Sequence, residues 1–376
     1  MSRQFISGND AVAHGVLLAR PRVISAYPIT PQTTVVERLS EYVADGQLDA
    51  EFIHVESEHS ALSCVMGASA AGVRTFTATS SQGLLYMAEY LPYASGGRFP
   101  IVMMNANRAV ALPWNIYGDQ SDSMSQLSCG WIQAYAENAQ EALDITLMAY
   151  RIAEDNRVSV PFMVNLDGFH ITHTYEVVDV PEQEQADRFL PAYSTENKLD
   201  FDKPVNMAFT AGPGHNKIFR VAHHNAMIRA FDVIRETEVS FWEVFGRSYS
   251  GAMEPYRMDD ADYVIVTLGS VSGLVRSVAD TLRTEGIRAG VLRLRYIRPF
   301  PRQEVAEILF GKRVAVLEKD IAPGRGGALF TEVAAASSSA ILSVIGGLGG
   351  EDISEDGVRK IFNVLIEKSE TEVLYL

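Results

Sequence analysis

A hydroxyl, a carboxyl and a guanidinium group follow three predicted strands: Thr30, Glu58 and Arg108. Thr30 lies in Tyr27-Pro28-Ile29-Thr30-Pro31, where the two prolines restrict the backbone and could fix the direction of the hydroxyl. The guanidinium fork of an arginine matches a carboxylate bidentately. A partly buried carboxyl has a raised pKa, which helps it to share a proton. The three groups could therefore orient an acidic small molecule and move a proton.

Each of these residues also has a simpler explanation. Glu58 follows Ser57 at a predicted helix start, where an acid complements the helix dipole. Most arginines make surface ion pairs, and Arg108 could be one of them. The hydroxyl of Thr30 could satisfy the backbone of its own turn.

Regularly alternating elements must position these groups. The sequence predicts strands at 23–27, 52–55, 74–78, 101–105 and 162–166, and helices at 33–44, 59–72, 83–94 (broken or kinked at Pro92) and 140–155. Continuous apolar strands between helices indicate a parallel sheet covered on both faces. Ligands bind outside the carboxyl ends of such strands. Three segments begin at those ends: 27–34, 56–60 and 105–122. The last of these is long, and long ordered loops are often functional.

The second half of the chain predicts a further α/β unit. Residues 175–204 are charged and contain proline, which is typical of a linking segment; a short strand at 206–210, a Gly-Pro-Gly turn and a long helix to 237 follow. From Asp262 the pattern predicts strands at 263–268, 289–294 and 313–318, with helices at 271–285, 302–309 and 328–338. We therefore expect two α/β domains, residues 1–250 and 251–376.

Composition excludes several classes of function. The net charge of -15 and pI of about 5.0 argue against nucleic-acid binding, which needs clustered Lys and Arg. No apolar stretch approaches the roughly 18 residues of a membrane span. The N-terminus has no signal-peptide pattern, so we expect a cytoplasmic protein. Cys64 and Cys129 cannot supply the about four thiolates of a [4Fe–4S] cluster, so any cluster must lie on another chain.

Two further patterns have weak functional alternatives. The pairs His170/His173 and His223/His224 bring no further ligands at diagnostic spacing, so we expect polar loop or cap histidines and no metal on this chain. The glycine-rich run 324–327 precedes a predicted helix and could cradle a phosphate, although a tight turn is the commoner explanation.

Four stretches resemble one enzyme family, the thiamine-diphosphate-dependent pyruvate (2-oxoacid):ferredoxin oxidoreductases, in their alpha subunit. They are AYPITPQTTVVE (26–37), VESEHSALSCVMGASAAGVRTFTATSSQGL (55–84), NANRAVALPWNIYGDQSDSMSQ (105–126) and EPYRMDDADYVIVTLGS (254–270). The motifs occur in the expected order over nearly the whole chain. The resemblance implies a pyrimidine-binding domain followed by a domain like the C-terminal domain of transketolase.

The resemblance also implies roles for individual residues. Glu58 would act on the aminopyrimidine of the cofactor, Thr30 and Arg108 would bind the 2-oxoacid, and Pro28, Ile29 and Gln82 would line the pyrimidine pocket. The chain has no GDG followed by an Asn, the usual diphosphate and metal signature, so a partner subunit would hold the diphosphate through Mg²⁺. The 115–126 loop departs from the single-chain pyruvate enzymes at Gln120, where they favour histidine; this leaves the polarity around the substrate, and the substrate's size, open.

The implied reaction is CoA-dependent oxidative decarboxylation of a 2-oxoacid, with electrons passing to ferredoxin through [4Fe–4S] clusters on partner subunits. Those partners would be a diphosphate-binding beta, a gamma and a ferredoxin-like delta subunit. Pyruvate is the first choice of substrate, followed by branched-chain and aryl 2-oxoacids. One alternative is another thiamine enzyme with NAD-linked or transketolase chemistry. The absence of a GxGxxG motif after the first strand argues against direct dinucleotide binding. The other is a scaffold subunit without chemistry, which would not need Thr30, Glu58 and Arg108 together.

Overall fold

A computed structural model describes residues 2–207, 209–338, 340–367 and 373–376. The strands are β1 (Ser2–Ser7), β2 (Val23–Ile24), β3 (Glu51–Phe52), β4 (Thr75–Thr79), β5 (Val102–Asn107), β6 (Ile132–Tyr135), β7 (Phe162–Asp167), β8 (Tyr175–Val180), β9 (Met253–Tyr256), β10 (Tyr263–Thr267), β11 (Ala289–Leu294), β12 (Tyr296–Arg298), β13 (Arg313–Glu318), β14 (Ile341–Ile345) and β15 (Val373–Tyr375). The helices are α1 (Gly8–Ala19), α2 (Thr33–Ala44), α3 (Glu58–Ala70), α4 (Ser81–Tyr86), α5 (Leu91–Gly96), α6 (Ser121–Met124), α7 (Ala139–Glu154), α8 (Gln183–Phe189), α9 (Pro213–Phe245), α10 (Ser272–Thr284), α11 (Arg302–Leu309), α12 (Ala328–Ala336) and α13 (Glu355–Glu367).

The first large sheet has the strand order β12-β6-β7-β5-β4-β2-β3. Its strands run parallel except for β12, which is antiparallel to β6 and comes from the second half of the chain. Every residue of β4, β5 and β7 is buried, because helices cover both faces. α1, α2 and α7 contribute to the core on one face, and α3, α4 and α5 to a smaller cluster on the other. The predicted parallel sheet is confirmed.

The second large sheet has the order β15-β14-β13-β10-β11-β9, with β9 as its antiparallel edge. Hydrophobic clusters line both of its faces: α10 and α13 pack on one, α11 and α12 on the other. This sheet begins at Met253, and the predicted domain division at residue 250 stays a prediction because β12 joins the other sheet.

The structure differs from the predictions in several segments. Residues 175–204, expected to link, contain β8 and α8, and β8 pairs with β1 in a separate two-stranded sheet. The predicted strand 23–27 is hydrogen-bonded as a strand only at Val23–Ile24, because the chain then turns through the proline-containing segment. The predicted helix 83–94 is two helices, the second of which begins just before Pro92. The predicted strand 206–210 includes Ala208, which lies outside the described residues; its described neighbours belong to no strand. Over the described ranges, none of the helices combines the length and apolarity that crossing a membrane requires.

Candidate active site

The turn after β2 is held by two buried amide side chains. Gln32 donates from Nε2 to the carbonyl oxygens of Tyr27 (3.1 Å) and Ala78 (2.9 Å), which ties the turn to the end of β4. Asn9 donates to the carbonyl oxygen of Pro31 at 2.8 Å. The Thr30 side chain is exposed, and its hydroxyl makes no hydrogen bond to the described residues, so it is not satisfying its own turn. The buried side chains of Asn9 and Gln32 therefore fix the backbone of the turn, while the Thr30 side chain is exposed.

Glu58 is the first residue of α3. Ser57 caps the helix by accepting a hydrogen bond from the backbone N–H of Ser60, so the cap does not need the Glu58 carboxylate. Only 8% of Glu58 is exposed, and burial raises the pKa of its carboxyl. No other side chain in the described residues hydrogen-bonds this carboxylate. It is a buried acid that keeps its proton to higher pH than usual and has free hydrogen-bonding capacity.

Glu58 packs closely against residue 83, and only a glycine leaves room for this approach. A Cβ on Gly83 would lie 2.7 Å from Oε1 of Glu58 and 2.5 Å from Oγ1 of Thr79. The hydroxyls of Thr79 and Ser80, at the end of β4, are buried and have no partner in the described part of the chain. Unsatisfied buried polar atoms are rare in native proteins, so these two hydroxyls need an explanation. An aminopyrimidine, with ring nitrogens and an amino group, matches a protonatable carboxyl beside such hydroxyls.

Arg108 follows β5 and carries a positive charge that no carboxylate balances at ion-pair distance among the described residues. It is 5% exposed, and burial lowers the pKa of its guanidinium. Its Nε donates to the carbonyl oxygen of Asn115 and its Nη1 to that of Thr30, each at 3.0 Å. The Trp114 ring lies 5.4 Å from its guanidinium carbon. The surface ion pair considered above is therefore not formed, and Nη2 remains available to an anion.

A fully buried carboxylate, Asp122, joins these parts. Its Oδ2 accepts hydrogen bonds from the backbone N–H of Ser81 (3.0 Å) and of Arg108 (3.1 Å), and its Oδ1 accepts one from the side chain of Asn107 (2.8 Å). Burial raises its pKa to about 6, even though these donors favour the charged form. Asp122 thus fixes the start of α4, which carries Gln82, against the start of the loop that carries Arg108.

The loop after Arg108 is anchored to the second sheet. Asn115 donates to the carbonyl oxygen of Gly349 at 2.9 Å, and Gln120 donates from Nε2 to Asp167 at 2.8 Å. Asp167, at the end of β7, pairs with Lys319 at 3.2 Å, and this charge holds the pKa of Asp167 below its usual value despite complete burial. Gln120 therefore lies at the junction of the two sheets, where it reaches the second half of the chain.

The helix start after the glycine-rich run 324–327 is filled by the protein itself. Glu318 accepts the backbone N–H groups of Leu329 (2.7 Å) and Phe330 (3.0 Å), and Asp320 accepts that of Ala328 (3.1 Å). Burial raises the pKa of Glu318 to about 8. Because carboxylates occupy the N–H groups that would bind a phosphate, the tight-turn explanation fits this segment.

The structure brings the predicted site residues to one edge of the first sheet. Thr30 contacts Arg108 through its carbonyl, and Gln82 hydrogen-bonds Ser81, whose hydroxyl also donates to the carbonyl oxygen of Ala109. Pro28 is exposed and Ile29 half-buried in the same turn as Thr30. Sequence reasoning missed Gln32, Gly83 and Asp122; only the position of Gly83, directly after Gln82, could have indicated a close approach.

Two family models match the chain. Residues 14–239 match "Pyruvate flavodoxin/ferredoxin oxidoreductase, thiamine diphosphate-binding", and residues 261–358 match "Pyruvate:ferredoxin oxidoreductase core domain II". Similar curated proteins include pyruvate synthase subunit PorA of Methanothermobacter thermautotrophicus, 47% identical over 96% of this chain and 94% of the relative. Ketoisovalerate oxidoreductase subunit VorA of Pyrococcus abyssi is 44% identical over 96% of this chain and 92% of the relative.

Two solved structures share the fold. The 2-oxoglutarate:ferredoxin oxidoreductase of Magnetococcus marinus has a TM-score of 0.77 at 22% identity; the match covers 97% of this chain and 65% of that one, so this chain spans less than two thirds of its length. A split-gene transketolase, described as an inactive beta4 tetramer, has a TM-score of 0.53 at 12% identity and covers 97% and 98%. These neighbours confirm the predicted fold class, an α/β fold built on parallel sheets.

Proposed function

The chain belongs to the pyruvate flavodoxin/ferredoxin oxidoreductase family, and we propose that it is the alpha-type subunit of a 2-oxoacid:ferredoxin oxidoreductase. In this proposal residues 1–250 are the pyrimidine-binding domain and residues 251–376 the transketolase C-terminal-like domain. The observation that supports the proposal is that one edge of the first sheet holds both a buried Glu58 of raised pKa and a buried Arg108 that makes no ion pair with the described residues. A scaffold subunit would have no use for a buried acid and a buried cation at this edge, because burying each of them costs stability.

Glu58 would hold and return a proton at a ring nitrogen of the aminopyrimidine. Its raised pKa suits this role, since general acid–base catalysis is best when the pKa lies near the working pH. Gln82 and the orphan hydroxyls of Thr79 and Ser80 would offer the pyrimidine further hydrogen bonds, with Pro28 and Ile29 beside it. Thiamine diphosphate, when bound, supplies the nucleophilic carbon and the electron sink that decarboxylation of a 2-oxoacid needs.

Arg108 and Thr30 would orient the substrate. Two backbone carbonyls hold Nε and Nη1 of Arg108, so the fork is pre-aimed and Nη2 can take the carboxylate. The outward-facing hydroxyl of Thr30 would contact the carboxylate or the keto oxygen. The charge of Arg108 also selects for an acid, because an uncharged analogue would leave it uncompensated.

The proposed overall reaction converts a 2-oxoacid, CoA and two oxidised ferredoxins to an acyl-CoA, CO2, a proton and two reduced ferredoxins. Partner subunits would complete it: a beta subunit holding the diphosphate through Mg²⁺, a gamma subunit, and a ferredoxin-like delta subunit carrying [4Fe–4S] clusters. A cytoplasmic location is part of the proposal. Pyruvate is the proposed substrate; a branched-chain 2-oxoacid is the second candidate, because the VorA relative is nearly as similar as PorA.

The test is reduction of a low-potential viologen by the natively purified complex without oxygen, against a panel of 2-oxoacids with and without CoA. We expect CoA-dependent reduction with one acid, which would identify the reaction and the substrate together. Silence across the panel, from a complex shown to contain thiamine diphosphate and intact clusters, would overturn the proposal.

A matched pair of variants tests the role of Glu58. Glu58→Gln removes the titrating group at nearly constant volume, and we expect turnover to fall by about 10²–10⁴-fold with subunit assembly unchanged. Glu51→Gln makes the same change at an exposed acid on β3 and should keep wild-type turnover. Near-normal activity of assembled Glu58→Gln would show that the assignment is wrong.

A further inference from the structure

Trp114 is a tryptophan at the surface of the loop that follows Arg108. It is 68% exposed, whereas Trp131 in the core is completely buried. Tryptophan is highly buried on average, because a ring of this size gains much free energy when it leaves water. An exposed indole directly beside Arg108 therefore needs an explanation other than stabilising the fold.

The indole of Trp114 lies against the guanidinium of Arg108. The guanidinium carbon is 5.4 Å from the centroid of the ring, which is within the range of a cation–π contact. The two residues differ sharply in exposure, with 5% for Arg108 and 68% for Trp114. Trp114 is therefore the outer layer of this contact and Arg108 the inner one, so the ring shields one face of the guanidinium from water.

The same backbone segment holds the ring and the cation. The carbonyl oxygen of Asn115, the residue after Trp114, accepts a hydrogen bond from Nε of Arg108 at 3.0 Å. The side chain of Asn115 accepts one from the backbone N–H of Tyr117 at 2.7 Å. The backbone N–H of Ala109 donates to the carbonyl oxygen of Tyr117 at 3.0 Å, which closes the loop at its base. Because the loop is braced in this way, the contact of the indole with Arg108 costs little further conformational entropy.

The contact leaves one nitrogen of the guanidinium for a ligand. The carbonyl oxygens of Asn115 and Thr30 hold Nε and Nη1 of Arg108, and Nη2 makes no hydrogen bond to the described residues. A carboxylate that binds at Nη2 meets a cation that the indole has partly shielded from water. An ion pair weakens where water and salt reach it, because the effective dielectric constant rises. Shielding by Trp114 should therefore strengthen the binding of a small acid.

We propose that Trp114 is a positioning residue for the 2-oxoacid: its indole holds the Arg108 guanidinium in place and keeps water and inorganic anions away from the pair that Arg108 forms with the substrate carboxylate. This inference rests on the function proposed above, in which Arg108 binds that carboxylate. Because the ring acts on binding through Arg108, its loss changes KM and leaves kcat unaltered. The contact needs a π face, so phenylalanine can replace the indole in part, whereas leucine, which is apolar but has no π system, cannot.

The first experiment compares the KM for the preferred 2-oxoacid in CoA-dependent viologen reduction by the purified complex. In Trp114→Leu and Trp114→Ala we expect KM to rise by about 2–30-fold, which corresponds to the loss of a cation–π contact, with kcat unchanged. Trp114→Phe should stay closer to the wild type than Trp114→Leu. Added chloride should raise KM more steeply in Trp114→Ala than in the wild type. The matched control Trp242→Ala removes a tryptophan of α9 that is 58% exposed, and it should keep the wild-type KM.

Labelling with phenylglyoxal measures the shielding without any turnover. The reagent modifies accessible arginines, and peptide mass spectrometry gives the rate of modification of Arg108 in the complex. Pyruvate and ketoisovalerate are then added separately, and the protection of Arg108 by each acid gives its dissociation constant. In Trp114→Ala we expect faster labelling of Arg108 and weaker protection than in the wild type.

The two measurements separate this inference from the proposed function. If the wild type is active and both Trp114→Ala and Trp114→Leu keep its KM and labelling rate, the inference is wrong and the function stands. If the wild type is inactive with every 2-oxoacid but an acid protects Arg108 less well in Trp114→Ala, the function is wrong and the inference stands; inactivity without this change refutes both. A lower kcat at constant KM, equal effects of phenylalanine and leucine, or loss of a partner subunit in native mass spectrometry would assign Trp114 a structural or interface role and contradict the inference.

Discussion

Replacing Gly83 by alanine adds one methyl group next to the proposed catalytic carboxyl. Its Cβ would lie 2.7 Å from Oε1 and 2.9 Å from Cγ of Glu58, and ordinary van der Waals contact begins at 3.4 Å. The Glu58 carboxyl must therefore move by roughly 0.7 Å or α4 must shift. Oγ1 of Thr79 at 2.5 Å blocks the other side, so the new methyl group cannot simply turn away. Because a misplacement of about 1 Å can cost 10²-fold in rate, we expect kcat to fall by about 10–100-fold.

The assay is CoA-dependent viologen reduction by the purified complex over a range of pH. A displaced carboxyl should change kcat more than the KM for the 2-oxoacid, and it should move the limb of the pH profile that Glu58 controls. A second readout is thiamine diphosphate affinity, because the same methyl group narrows the space beside the carboxyl.

Gly67→Ala is the matched control. Gly67 lies in α3 like Glu58, is exposed, and a Cβ there meets nothing within 4 Å. Alanine at an unstrained helical position usually stabilises by about 0.4–1 kcal/mol, so this variant should keep its activity and unfold slightly later. The reasoning is refuted if Gly83→Ala assembles normally and keeps wild-type kcat and pH profile.

Three further predictions concern charge. Arg108→Lys keeps the charge but loses the planar fork, so KM for the 2-oxoacid should rise by about 10–100-fold with a smaller change in kcat; an unchanged KM in steady-state kinetics would remove Arg108 from substrate binding. Lys319→Met leaves Asp167 buried without its cation and should destabilise the protein by about 3–5 kcal/mol in denaturant unfolding, while adding Asp167→Asn should restore part of the loss; additive losses in the double variant would contradict the pairing. Arg293 and Arg295 hold the pKa of the buried Glu141 at about 2, below its ordinary 4.5. The ionised Glu141 therefore stabilises the fold fully above pH 4.5, and this contribution is lost as the pH falls toward 2. The pH-dependent part of this stabilisation is on the order of 3 kcal/mol, so the stability gap between wild type and Glu141→Gln should shrink by that amount on acidification. A pH-independent gap would count against this explanation.

Local patterns were sufficient for the repeating elements of the fold. The helix 33–44 and the strands 289–294 and 313–318 were predicted with their observed bounds, because apolar spacing and stop residues act within a few positions. Elements that depend on distant partners were missed. β8 was predicted to be part of a linker because residues 175–204 are charged and contain proline. It forms a strand because β1, from the start of the chain, pairs with it.

By itself the sequence determined the fold class, the family, and the types of groups available at the carboxyl edge of the first sheet: Thr30, Glu58 and Arg108. The sequence specifies which residue follows each strand, and in a parallel sheet the carboxyl ends of the strands lie at one edge. Only the tertiary structure decided how these groups are held. The hydrogen bonds of Asp122 to Ser81 and Arg108, and the close approach of Gly83 to Glu58, join segments that are 14 to 41 residues apart. Such contacts depend on sub-ångström distances and on burial. Burial raises the pKa of Glu58 and lowers that of Arg108, and local spacing in the sequence encodes neither the distances nor the burial.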